Sequence, residues 1–129
     1  MSAILVIIVV SLILAALCSA QMDMVSDMSH YKYSIPAKLG WSIEWWCKEL
    51  SYNNKYKGGK KENGAKFFGS TTFLVWVTDG WHLLKFLFNR FWQIPIALYL
   101  QSNLGLNFLI SYVLIGGIFG VAFYVFYGK

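Results

Sequence analysis

The chain is short of charge and shorter still of acid. Of its 129 residues 13% are charged, and six are Asp or Glu. An ordinary soluble domain carries roughly 25% charge. The 19% aromatic content excludes a disordered chain, which needs much charge and few aromatics. The two cysteines, Cys18 and Cys47, make neither a disulfide framework nor a zinc site, and read as small buried hydrophobes. There is no Asn-x-Ser/Thr sequon, no prenylation box and no glycine-rich nucleotide loop. Leu17, just before Cys18, argues against a lipoprotein signal.

Apolar surface is abundant instead. The chain is 57% hydrophobic, with six Trp, eight Tyr and ten Phe. A body this small buries only about two-thirds of its unfolded surface, so water cannot be the whole solvent. The composition predicts an all-α fold: a small helical membrane protein, 1–129 forming one membrane domain, with about three transmembrane helices plus interfacial amphipathic helices.

The first span is 3–22, an apolar run of twenty residues, which at ~1.5 Å each crosses about 30 Å of hydrocarbon. The rival is a cleaved signal peptide, for which Cys18-Ser19-Ala20 supplies small residues. No Lys or Arg precedes the run, and cleavage would export the lysines that follow, so an uncleaved helix is expected. Residues 22–34 are expected to continue this helix, with Asp23, Asp27 and His30 sharing a face at i, i+4 and i+7. An interfacial helix is expected over 35–52, begun by Ser34 and Pro36. Its apolar stripe is Leu39, Ile43, Trp46, Cys47 and Leu50, while Trp41 and Trp45 lie opposite, among lysines, at headgroup level. Residues 51–66 read as a solvated basic loop with turns at Gly58-Gly59 and Asn63-Gly64. Residues 67–78 are apolar but too short to cross a bilayer, and read as an interfacial or re-entrant stretch or the start of the next helix.

Over 79–100 an amphipathic helix is expected to become the second span. On a helical wheel Asp79, His82, Lys85, Asn89, Arg90 and Gln93 occupy an arc of about 140°. Apolar residues fill the rest, and Phe86 alone intrudes among the polar ones. Lys85 and Arg90 are expected to snorkel to headgroups, and Pro95 to kink the helix. The third span is 108–127, where Gly116 and Gly120 form a GxxxG face for helix packing, within the chain or between copies.

The formal charge is +5, and eight of the eleven Lys and Arg lie between Lys32 and Lys66. In a membrane chain this is a topology signal rather than a nucleic-acid signal. With the N-terminus outside, the basic loop and C-terminus fall in the cytoplasm, and all eleven cations, Lys129 included, share one side. The expected partners are the lipid bilayer and a homo-oligomer or larger membrane complex, with no nucleic acid and no cofactor.

Two acid–imidazole groupings carry the candidate chemistry: Asp79 with His82, and Asp23 and Asp27 with His30. If the two sets converge at the membrane boundary, their N and O ligands would hold a divalent metal or run acid–base chemistry. The bland reading is that Asp79 caps a helix, His82 bonds to it, and Asp23 and Asp27 are solvated. Glu44, Lys48 and Glu49 read as an exposed salt-bridged face.

The segments Ala20-x-Met22-Asp23, His30-Tyr31, Asn54-Lys55-Tyr56-Lys57-x-Gly59 and Phe67-Phe68-Gly69-Ser70-Thr71-Thr72-Phe73-Leu74-Val75-Trp76-x-Thr78-Asp79-x-Trp81-His82 are distinctive. Over residues 3–90 the chain resembles a group of small uncharacterised membrane proteins of Bacteroidota and the bacteriophages that infect them. The resemblance implies a bacterial or phage membrane setting and assigns no residue a role. The expected function is non-catalytic: an accessory or scaffold subunit, or a membrane-interaction factor. The alternatives are a holin-like membrane lesion protein, although its tail lacks the usual charge cluster, and a membrane-embedded Asp/His metal or acid–base site.

Overall fold

The computed structural model describes residues 2–127; Lys129, counted above among the cytoplasmic cations, lies outside the described residues. The chain is all-helical. Among the described residues the only strand-like pairing is an isolated bridge between Tyr56 and Ala65. Two compact units form. One joins the chain up to Ala15 with the chain from Phe88 onward, and the other is Ala16–Leu87.

Helix α1, Ala3–Met24, has a mean hydropathy of 3.0 over its most apolar stretch, of which 17% is buried. Its buried residues Ser11, Ala15 and Cys18 fall at i, i+4 and i+7, while Ile7, Val10, Leu14 and Leu17 stay exposed. Among the described residues it is the one helix long and apolar enough to cross a membrane. A core helix of a soluble protein passes the same length test but is mostly buried, and α1 is not.

Within Ala16–Leu87, α1 does not run on through 22–34 as expected. Asp27 adopts an extended backbone and its carboxylate accepts from the His30 N–H at 3.0 Å, which starts a new one-turn helix, α2, Met28–Tyr31. Asp23 therefore does not share a helix face with Asp27 and His30. Residues 35–52 are not one helix either. They form α3 (Ile35–Lys38), α4 (Ile43–Trp46) and a 3-10 turn, Lys48–Leu50. Gly40 is the break. At φ +70° it takes the left-handed conformation, and the Trp41 N–H reaches back to the Pro36 carbonyl at 2.9 Å, closing α3 in a Schellman-type cap. Of the expected stripe, Cys47 is fully buried and Leu39 is exposed.

The basic segment 51–66 is folded rather than a free linker. It contains α5 (Tyr52–Lys55), two 3-10 turns with Gly58, Gly59 and Gly64 at positive φ, and the Tyr56–Ala65 bridge. The stretch that follows is irregular, with a 3-10 turn at Val75–Val77, and Trp76 stacks on Phe86 at 4.9 Å. That contact accounts for the apolar intruder on the polar arc.

Helix α6, Gly80–Leu104, continues through Pro95. Gly105 at φ +65° ends it, and the Asn107 side chain accepts from the N–H groups of Leu109 and Ile110 to start α7, Phe108–Tyr127. The described apolar stretch of α7 is Phe108–Ala122. Trp92 packs edge-on against Phe119 at 5.7 Å, and the Tyr112 hydroxyl donates to the Arg90 carbonyl at 3.2 Å. The glycine pair divides. A methyl group on Gly116 would stand 3.2 Å from the Arg90 guanidinium, whereas Gly120 faces open space. The two glycines do not share a packed face here, because only Gly116 lies under the polar residues of α6.

Among the described residues Gly80 is the tightest glycine, buried against the face of the Trp46 indole with no room for a side chain. Gly80→Ala is expected to lower stability by about 1–3 kcal/mol, as overpacking does. Thermal unfolding in detergent micelles, followed by tryptophan fluorescence, measures it.

Candidate functional site

Thr78, Asp79 and Gly80 form the entry to α6. The Asp79 carboxylate accepts the His82 N–H at 3.0 Å, satisfying a donor that the helix leaves open, and the Asp79 carbonyl accepts the Leu83 N–H. This cap fixes where the side chain of His82 points, one turn on. Its Nδ1 lies 2.7 and 2.9 Å from the two Asp79 oxygens. We therefore assign the ring hydrogen to Nδ1, donating to Asp79, which leaves Nε2 as an acceptor.

Lys55 supplies the donor. Its Nζ lies 3.0 Å from His82 Nε2 and 3.9 Å from an Asp79 oxygen. The position of Lys55 is set through its backbone: its carbonyl accepts from the Lys66 N–H and from the buried Ser70 hydroxyl, each at 2.8 Å. The Thr78 hydroxyl adds a bond to Asp79 at 2.8 Å. The result is a connected array, Thr78–Asp79–His82–Lys55, in which Asp79 has no solvent exposure and the His82 and Lys55 side chains retain 18% and 14%.

Burial alone would raise the carboxyl pKa of Asp79, but the bonds from His82 and Thr78 outweigh it and hold the group below its usual range. Lys55 is pushed below the usual lysine range by burial, with Lys48 and Lys85 adding to the effect and Asp79 opposing it.

Trp81 lies beside the array, its ring 4.8 Å from that of His82. Lys48 and Lys85 both approach the indole, with Nζ 4.5 and 5.2 Å from the ring centroid. Lys85, expected to reach headgroups, is thus held near Trp81. Arg90, expected to do the same, turns toward α7, with its guanidinium 5.9 Å from the Tyr112 ring and 3.4 Å from Gln93 Oε1. Trp41 and Trp45 do not stand alone opposite a stripe. Trp41 stacks on Trp46 at 5.2 Å, and Trp45 meets the same ring edge-on at 4.9 Å.

Asp27 and His30 make a second, exposed pair at 2.7 Å. Bonds from the Ser29 hydroxyl and from His30 hold the Asp27 carboxyl far below its ordinary range. Among the described residues no three His, Cys, Asp or Glu side chains come together to hold a metal ion. The expected convergence of Asp23, Asp27, His30, Asp79 and His82 is therefore not formed, since each Asp–His pair closes on itself and Asp23 joins neither. Sequence reasoning found Asp79 and His82 but missed Lys55, which it placed in a solvated loop. No protein-family model, curated protein or solved structure matches the chain.

The lowered pKa of Asp79 has a definite sign. Its ionised form is favoured by folding, so the stabilisation is full above the ordinary carboxylate range near pH ~4 and is lost as pH falls through the lower folded value. Asp79→Asn should cost about 2–4 kcal/mol near neutral pH, by leaving Lys55 without its counter-charge. It should also flatten acid unfolding of this unit below pH ~4. Unfolding midpoints of wild type and variant across pH 2–7 measure both.

Proposed function

We propose that this is a multi-pass integral membrane protein acting as a membrane-interaction factor or as an accessory subunit of a membrane complex. The observation that carries the reading is an inverted burial pattern. Among the described residues of the long helices, Gln93 of α6 and Ser111 of α7 are fully buried, and Ser11 of α1 nearly so, while most Ile, Leu and Val residues of α1 and α7 face outward. Water-soluble folds do the reverse. In hydrocarbon, polar groups turn inward to neighbouring helices and apolar ones face lipid.

In this reading α1, 83–100 of α6, and α7 are the spans. Segments 35–52 and 67–78 of the Ala16–Leu87 unit meet the cytoplasmic headgroups. Phe68, 85% exposed, and Phe73 meet edge-on at the surface of that unit and serve as an aromatic anchor. Lys57, Lys60, Lys61 and Lys66 face the cytoplasm and its anionic lipids.

The protein is expected to stay in the membrane pellet through alkaline carbonate washing and to leave it only with detergent. Release by carbonate removes the reading. Cys18 and Cys47 are buried, so single cysteines can be introduced elsewhere as reporters. Leu106→Cys should react with an impermeant maleimide in intact cells and Lys60→Cys only after permeabilisation. Labelling of both from the same side overturns the topology.

The Asp79–His82–Lys55 array favours a second reading, acid–base chemistry at the membrane surface. Asp79 orients His82, and Lys55 is the group exchanging a proton with a bound substrate. In ¹⁵N NMR this reading requires a His82 ring protonated at Nδ1 that loses that tautomer preference in Asp79→Asn. A ring with no tautomer preference in wild type removes it.

A further inference from the structure

Lys55 occupies the place of the attacking group in an acid–imidazole site. Such a site needs three parts in hydrogen-bond reach: a nucleophile, a base to take its proton, and a third group to orient the base. Asp79 lies 2.7 Å from His82 Nδ1, and His82 Nε2 lies 3.0 Å from Lys55 Nζ. The group at the free ring nitrogen is therefore an amine, not a hydroxyl or a thiol. All three residues belong to the Ala16–Leu87 unit. Asp79 is sealed from solvent, whereas the Lys55 and His82 side chains keep 14% and 18% exposure, so the reacting end of the array can be reached from outside.

The amine also has the right form. Burial pushes the Lys55 ammonium below its ordinary range, Lys48 and Lys85 add to this, and Asp79 opposes it. The neutral amine, the form that attacks carbon, is thus better populated here than on an exposed lysine. The two thiols are no rivals, since Cys18 and Cys47 are buried.

We propose that Lys55 is a nucleophile that forms an imine with an aldehyde or ketone, with His82 carrying the protons and Asp79 orienting His82. An amine keeps further N–H bonds after its first attack, so addition to a carbonyl runs on to a C=N bond. The Lys55 ammonium first passes a proton to His82 Nε2, and the imidazolium is held against the Asp79 carboxylate. The free amine then forms an N–C bond to the carbonyl carbon, the C=O π electrons move to oxygen, and His82 returns its proton to that oxygen. His82 takes a further proton from nitrogen and gives it to the same oxygen, which leaves as water while the nitrogen lone pair closes the C=N bond. In net terms one ammonium and one carbonyl give one protonated imine and one water. The proposal rests on the second reading above, in which Lys55 is the reacting group, and it names the substrate class of that group.

The test uses the full-length protein in detergent micelles, with propanal as the carbonyl and sodium cyanoborohydride to reduce any imine to a stable secondary amine. Proteolysis and mass spectrometry read the alkylated lysines from about pH 6 to 9. Lys55 is expected to be alkylated ahead of the exposed Lys57, Lys60, Lys61 and Lys66, and its labelling to rise at lower pH than theirs. His82→Gln is expected to slow labelling of Lys55 about a hundredfold, the low end of what a positioned proton-transfer group contributes, and to leave the four exposed lysines unchanged. A merely structural role of His82 would not give this split.

Labelling of Lys55 in wild type no faster than that of the exposed lysines overturns the proposal, and this result needs no variant to fold. Preferred labelling that survives in His82→Gln, with an unchanged circular dichroism spectrum, overturns it too. The reading beneath it fails separately. An unreactive Lys55 beside a His82 ring still protonated at Nδ1 overturns the nucleophile and leaves proton exchange standing, whereas a ring without tautomer preference overturns both.

Discussion

A carboxylate stripped of water must be answered by donors, and the Ala16–Leu87 unit is arranged around one that is. Asp79 caps α6, fixes the tautomer of His82, takes the Thr78 hydroxyl and lies within ion-pair reach of Lys55. The bonds from Thr78 and His82 are local, and Lys55 brings a distant part of the chain to the same point. An unanswered buried charge costs several kcal/mol, so satisfying Asp79 constrains where α5 and the start of α6 can be. Gly80, the next residue, lets the Trp46 indole lie directly on the helix start. Polar satisfaction and aromatic packing thus meet within two residues.

Elsewhere the same inversion of ordinary burial recurs. Gln93 and Ser111 are hidden, as is Ala97 one turn on from Gln93, while the branched apolar residues of α7 face outward. Gly116 admits the Arg90 guanidinium and the Gln93 side chain close to the α7 backbone. In hydrocarbon such close approach supplies the packing that the hydrophobic effect cannot.

How much of this was legible in the sequence varied with the range of the interaction. Helices α1 and α7 were readable from uninterrupted apolar runs, and the α6 start from an Asp followed three residues later by His. Those signals are local. Gly40 was also a local signal, but the apolar stripe across it suggested one continuous helix. The left-handed Gly40 and the extended Asp27 instead broke two expected helices into single turns. Lys55 was invisible because its placement depends on partners far along the chain, the Ser70 hydroxyl and the Lys66 amide on its carbonyl and His82 on its amine. A lysine in a glycine-rich basic stretch looks like every other solvated lysine until those contacts exist. The metal site failed for the complementary reason. Asp27 and Asp79 each lay close enough to their own His to be bonded locally, and the two pairs do not meet.

The closing contacts of the Ala16–Leu87 unit come from its last-made residues. Trp46 waits for Gly80, and Lys55 waits for Asp79 and His82, so the unit cannot be completed until the ribosome has released the first turn of α6. A nascent chain halted short of Asp79 carries three neighbouring indoles, Trp41, Trp45 and Trp46, without the helix start that the last of them packs on. In such a chain the face of Trp46 that rests on Gly80 is left uncovered.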